Sequence, residues 1–246
     1  MLKRMCNCNW EITGDRTLVI SPVKGTDGKI EMPKTMKWPW KGADITSVQI
    51  KNGVTAGDSL MNMFDGCDSL TNISSLADLD VSRVKDVYCM FYGCSSLTDA
   101  SALTGWNVAS LKEAESMFEG TGVKKNPLDE LIPMACPREG SFTAYKKAYD
   151  SAGENCIVTL KIPADARRSS AFGKKCRCDK AVVLKIQNQN GKTAPEKEAF
   201  ANYNSSFVYR DGETVSVPDF GPDRFAECAP GIHFFMDRED AMDYLI

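Results

Sequence analysis

The side chains of this sequence best suited to chemistry lie in its second half. Cys176, Cys178, Cys228 and His233 offer four sulfur and nitrogen donors, the number a tetrahedral zinc ion takes. Paired structural thiolates usually have two residues between them, whereas Cys176-x-Cys178 has one. On a strand that spacing puts both thiols on one face. Ordinary buried thiols are the plainer reading. No metal and no other cofactor is expected, with these four residues as the alternative metal site. His233 is the single histidine, set between Ile232 and Phe234. A packed imidazole bonded to backbone fits that setting, and a site role is the competing reading. A nucleophile–base pair would need His233 beside Cys228 or Cys176, and no protease signature surrounds either cysteine.

A second constellation precedes it. Arg167, Arg168, Lys175 and Arg177 flank Ser169 and Ser170, and Lys174 and Lys180 extend the basic run. Guanidinium forks and loop N–H groups could hold a phosphate, a nucleotide or nucleic acid through residues 167–180. A solvated basic loop is the plainer alternative. Neither a Walker loop nor Gly-x-Gly-x-x-Gly is present. For an enzyme built here the sequence places no catalytic residue; Glu213 and Glu227 are glutamates within reach of these segments. In the first half, Trp38, Trp40, Tyr92 and Trp106 are candidates for an aromatic surface. Trp38-Pro39-Trp40 could equally be a cap.

The elements that position these groups are of two kinds. From residue 36 to about 123 the chain repeats itself every 27 residues. Met63-Phe64-Asp65-Gly66-Cys67-Asp68-Ser69-Leu70-Thr71 returns as Met90-Phe91-Tyr92-Gly93-Cys94-Ser95-Ser96-Leu97-Thr98, and Met117-Phe118-Glu119-Gly120 opens a third copy. Val54, Val81 and Val108 keep the same step, and Met36 marks a degenerate earlier copy. Leu70, Ile73 and Leu76 read as a strand or tight arc, and Val87, Met90 and Phe91 as a helical turn. Gly66 and Gly93 permit the turn between them. Cys67 and Cys94 are small enough to stack inside. Residues 1–35 are expected to cap the array. Trp10–Ile12 and Thr17–Ile20 alternate as a hairpin around Gly14-Asp15.

Residues 124–141 have linker composition. Residues 142–246 read as a small strand-rich α+β domain. Runs at 157–162, 180–187 and 232–236 look like strands, with a turn at 188–191. A hairpin is expected from Phe207–Tyr209 and Thr214–Val217 around Asp211-Gly212, and a helix from Arg238 to Leu245. The fold class expected overall is α+β: a short leucine-rich-repeat solenoid with an N-terminal β cap, then this domain.

Composition narrows the function. Of 246 residues, 43% are hydrophobic and 26% charged, with a net charge of -3, so no general basic surplus marks a nucleic-acid binder. The polar stretch Met1–Trp10 carries no apolar core, so no secretory signal is expected, and no run is long enough for a membrane span. Ten cysteines without a disulfide-like pattern are expected to be reduced.

The repeat residues resemble BspA-type leucine-rich repeats, in which Met-Phe-x-Gly-Cys-x-Ser-Leu-Thr is followed by a segment like Gly105-Trp106-Asn107-Val108 or Asp80-Val81-Ser82-Arg83-Val84. Many members of that group are bacterial surface proteins, which makes surface attachment one reading. Residues 142–244 resemble a domain of unknown function seen in bacteriophage and large-virus proteins. The segments that carry this are Ile162–Ser170, Lys175-Cys176-Arg177-Cys178 and Glu227-Cys228-Ala229-Pro230-Gly231-Ile232-His233-Phe234-Phe235. That resemblance implies a phage or prophage source. The combined expectation is a non-enzymatic, cytoplasmic protein-binding protein, in the host cytoplasm if phage-encoded, that modulates a host defence system. It needs a protein partner and no membrane. The alternative is a nucleotide- or phosphate-binding enzyme with its site in residues 142–246.

Overall fold

The structure is a computed structural model that describes residues 2–188, 190–192, 198–221 and 223–244. The chain divides into two units, Met1–Pro133 and Met134–Ile246. The break falls inside the expected linker, where a short helix α1 (Leu128–Leu131) also forms.

The first unit starts with β1 (Lys3–Met5), β2 (Cys8–Ile12) and β3 (Thr17–Pro22), followed by β4 (Lys29–Ile30), β5 (Ser47–Ile50) and β6 (Thr55–Ala56). Cys8, Trp10, Leu18 and Ile20 alternate inward, which is why β2 and β3 pair as the expected hairpin. β5 joins β3 in parallel, completing a sheet in the order β1-β2-β3-β5. Beyond β5 each copy of the repeat bonds to the copy after it. The N–H groups of Asn62, Phe64 and Gly66 donate to the carbonyls of Tyr88, Met90 and Tyr92 at 2.9, 2.8 and 2.8 Å. Cys89, Phe91 and Gly93 do the same to Glu115, Met117 and Glu119 at 3.1, 2.9 and 2.8 Å. The rings of Phe64, Phe91 and Phe118 stack at 5.3 and 5.5 Å. Gly93 and Gly120 hold φ of 70° and 76°, and a Cβ on Gly120 would lie 3.2 Å from the Gly93 Cα. Both the left-handed backbone and the close approach require glycine there.

The expected α+β class with a leucine-rich-repeat solenoid is corrected: the protein is mainly β, built as several small sheets with little helix. The helical turn expected at Val87–Phe91 is a succession of hydrogen-bonded turns. Of the two forms expected at Leu70–Leu76, a strand or a tight arc, the strand is absent and the segment turns into a 3-10 helix at Ser74–Asp78, matched by another at Ser101–Leu103. Short polar side chains cause this. Asn72, Asp80, Asp86 and Asp99 each accept from the N–H two residues on, at 3.0, 3.0, 2.8 and 2.8 Å. Such closures compete with strand and helix ladders. Pairing between copies is thereby cut to isolated bridges, including Thr55 with Asp80, Ser59 with Asp86, and Asp86 with Glu113.

The second unit holds β7 (Phe142–Tyr149), β8 (Asn155–Ile162), β9 (Arg168–Ser170), β10 (Cys176–Cys178), β11 (Lys180–Asn188), β12 (Glu198–Ala201), β13 (Asn204–Arg210), β14 (Thr214–Ser216), β15 (Ile232–Phe234) and α2 (Arg238–Asp243). The expected strands at 157–162 and 180–187 form, that expected at 232–236 ends at Phe234 and the final helix at Asp243, while Leu245, and Gln189 of the expected turn, lie outside the described residues. The hairpin expected from Phe207–Tyr209 and Thr214–Val217 does not form. The turn is made, with Glu213 N–H donating to Arg210 O at 3.0 Å, but β13 pairs with β12 and β14 with β11. These are the two edges of the sheet β13-β12-β7-β8-β11-β14. Arg210 and Thr214 can be no more than about 15 Å apart. Five flat inter-strand steps would span about 24 Å. The sheet must therefore curl until its edges approach. Its concave side is filled by Ala144, Val158, Leu160, Ile162, Ala181, Val183 and Tyr209, with Cys176, Cys178, Ile232 and Phe234 of the smaller sheet β15-β10-β9 packed against them.

Candidate functional site

The basic segment is not one patch. Arg168 is turned on backbone carbonyls, donating to Pro163, Gly140 and Ala164 at 2.6, 2.8 and 2.9 Å. Arg177 is buried in β10 and donates to the carbonyls of Gly221 (2.6 Å), Asp223 and Pro230 (3.4 Å), with its guanidinium over the Phe220 ring. Arg167 pairs with Asp179 at 2.9 Å, Lys174 with Asp240 at 2.6 Å and Lys180 with Asp165 at 2.6 Å. Ser170 Oγ accepts from Ala135 N–H at 2.8 Å, and Ser169 is buried. The forks that could have gripped a phosphate are thus turned inward onto the loops they hold. Lys175 differs: its Nζ stands 4.0 Å from Cys228 Sγ, at the edge of a cleft.

The candidate zinc ligands do not converge. In the register of β10 with β15, Cys176 faces Phe234, Arg177 faces His233 and Cys178 faces Ile232. Directly opposed residues share a face and successive ones alternate. Both thiols therefore lie on one side of this sheet and His233 on the other, with Cys228 exposed. Among the described residues no cluster of three or more metal-ligating side chains occurs.

His233 instead lines a cleft of about 770 Å³ in the second unit, together with Cys228 and Lys175. The cleft sits where the curled sheet forks. β12 reaches β7 only at Phe200 opposite Tyr149, and nearer its middle β7 exchanges two 2.8 Å bonds between Tyr145 and Phe235. The β12–β13 hairpin peels away between those points. Lys146 lies in the fork. Along β7 it alternates with Ala144 and Ala148, both fully buried, so it occupies an inward position. Its Nζ donates to His233 O at 3.2 Å and faces the Tyr209 ring at 5.9 Å. Burial pulls its pKa down to about 8, and the Lys175 ammonium acts in the same direction. Burial, then the Lys146 ammonium, also pushes His233 down to about 4, so its imidazole is neutral at pH 7; its Nε2 bonds Glu227 O at 3.0 Å. Lys146 was absent from the sequence candidates. Its signal was a lysine in step with two alanines on an otherwise inward face.

The aromatic candidates separate as cleanly. Trp38, Trp40 and Trp106 are buried. The indoles of Trp38 and Trp40 donate to Met61 O and Met63 O at 2.7 and 2.8 Å, and that of Trp106 to Leu76 O at 2.8 Å. Tyr92 is exposed, and so is Tyr88. The ladder aligns Ser59, Asp86 and Glu113 in one column, Met61, Tyr88 and Glu115 in a second, and Asp65, Tyr92 and Glu119 in a third. The two tyrosines stand among five carboxylates. Lys41 pairs with one of them, Asp65, at 2.5 Å. From Val54 to Val123 there are ten acidic and three basic residues.

Two families are recognisable in the chain. Residues 132–241 match the Family of unknown function (DUF5758), and residues 43–131 match the family described as Mycoplasma protein of unknown function, DUF285. These spans fall on the two structural units, one on each. No curated protein and no solved structure matches the chain. Among the described residues no helix is long and apolar enough to cross a membrane.

Proposed function

We propose that this chain is a non-enzymatic binding protein whose repeat presents the acidic, tyrosine-bearing face to a basic segment of a partner protein. The observation that carries this reading is the pair of exposed tyrosines set in register among the carboxylates of neighbouring columns. Tyrosine offers a large rigid contact surface with a polar tip, and it is enriched in interface cores. The acidic surround steers and selects a cationic partner. Inside the same unit the thiols of Cys8 and Cys94 donate to Gly28 O and Phe64 O at 3.1 and 3.0 Å. We take the sequence resemblance of residues 142–244 to phage and large-virus domains as pointing to a host protein as the partner. Against a phosphate- or nucleotide-handling enzyme at residues 167–180 stands the engagement of Arg168 and Arg177 by carbonyls.

The test is paired affinity capture from host lysate. A native bait should retain a partner that is released at high salt, as expected for exposed charges. A Tyr88→Ala, Tyr92→Ala bait, and separately a Glu115→Lys, Glu119→Lys bait, should lose the same partner. Retention of that partner by both variant baits would refute the reading.

A further inference from the structure

The forked cleft of the second unit has an unequal chemistry. Its walls are largely carbon, with Phe207, Val217, Ile232 and Phe235 among them. Two lysine ammoniums, Lys146 and Lys175, reach it, and Asp219 is the carboxylate among its described lining residues. The third lysine, Lys147, is already held by the carbonyls of Met242 and Tyr244 at 3.1 and 3.0 Å. His233 adds a neutral imidazole. An ammonium has three N–H donors. That of Lys146 spends one on His233 O and otherwise meets the Tyr209 ring face. A lysine kept at an inward strand position costs stability unless an anion accompanies it. The volume suits a ligand, since such sites commonly span about 300–1,000 Å³.

The donors also select the kind of anion. A phosphate dianion is best held by guanidinium forks or a nest of N–H groups. Here the nearby guanidinium, Arg177, is taken by carbonyls, and what remains is two separate point charges. A monoanion fits them better. We propose that the cleft binds a small organic carboxylate with an apolar body, its carboxylate on Lys146 Nζ and its hydrocarbon against Phe207, Val217 and Ile232. Lys175 strengthens the pairing from the Cys228 side. This site is separate from the repeat face and does not depend on the partner proposed for it.

The experiment is calorimetric titration of the full chain with decanoate, with decanol and inorganic phosphate as comparison probes. One decanoate should bind per chain, more tightly than decanol and than phosphate. Lys146→Met should weaken decanoate at least tenfold while leaving decanol unchanged, which shows that the cleft is intact. On the native chain, raising pH from 7.5 to 9 should weaken decanoate on the order of tenfold, because the empty-site amine titrates near 8 and only its charged form attracts the anion. This arm decides the matter even if the variant does not fold. The proposal is overturned by absence of decanoate binding, by equal binding of decanoate and decanol, by tighter binding of phosphate, by undiminished affinity in Lys146→Met, or by an affinity indifferent to pH.

Discussion

The two units solve the same problem, the pairing of backbone polar groups, in opposite ways. In the repeat, alternate backbone N–H groups donate to carbonyls 26 residues on, at the same place in every copy, and each phenylalanine stacks on another phenylalanine. The solution is periodic, so it is written into the sequence as a period. In the second unit, loop carbonyls are engaged by individual arginine side chains. Arg177 closes the loop at Gly221, Asp223 and Pro230, and Arg168 closes those at Gly140 and Pro163. Nothing in that arrangement recurs. Periodic structure tolerates small errors at many places, whereas the second unit concentrates its dependence on a few cations.

That contrast can be broken at graded cost. The largest effect is expected from Phe91→Ala, because Phe91 is fully buried and stacked on both sides. A loss of about 3–5 kcal/mol is expected for such a cavity, and urea unfolding would measure it. A loss below about 1 kcal/mol would mean that the ring column is not the core of the repeat. Next comes Arg177→Met, which withdraws the guanidinium from the Gly221 and Asp223 carbonyls and leaves Pro230 O with the Gly221 N–H alone; it should cost about 3 kcal/mol. Arg167→Ala, ten residues earlier, removes a half-exposed ion pair and should cost less than about 1 kcal/mol. Equal costs would erase the distinction between loop-holding and surface cations. The third effect is electrostatic. His233 is depressed in the folded chain from an ordinary 6.5 to about 4, so the fold favours its neutral form. The stability this gives is complete above pH 6.5 and is lost as pH falls towards 4, by on the order of 2–3 kcal/mol. His233→Gln should flatten that part of the stability–pH curve, and a curve of unchanged slope would show that other groups set it.

How much of this was legible follows from the same contrast. The 27-residue period, the glycines of the turn and the β2–β3 hairpin could be read because each rests on neighbouring or recurring letters. Asp80, Asp86 and Asp99 were equally visible, but their power to cut strands into turns lies in side-chain closures that a hydrophobic pattern does not register. Asp211-Gly212 was rightly a turn. It could not say that the strands on either side belong to opposite edges of a curled sheet, because a turn constrains four residues and not the pairing beyond them. His233, Cys228 and Lys175 were singled out and do meet in one cleft. Lys146 escaped notice because a lysine reads as surface until Ala144 and Ala148 are known to point inward. The partners of Arg168 and Arg177 were beyond reach for a simpler reason: they are carbonyls, and a carbonyl has no letter of its own.

The tryptophan pair at the start of the repeat has a consequence for how the molecule could change over time. Trp38 and Trp40 give the first full copy the donors that an earlier copy would otherwise supply. The array therefore has a built-in starting edge, and only its interior is repetitive. A block of 27 residues duplicated or deleted between Leu60 and Leu111 would leave that edge and the rest of the chain as they are. Lineages could in this way lengthen or shorten the acidic, tyrosine-bearing face in whole increments, without redesigning the ends.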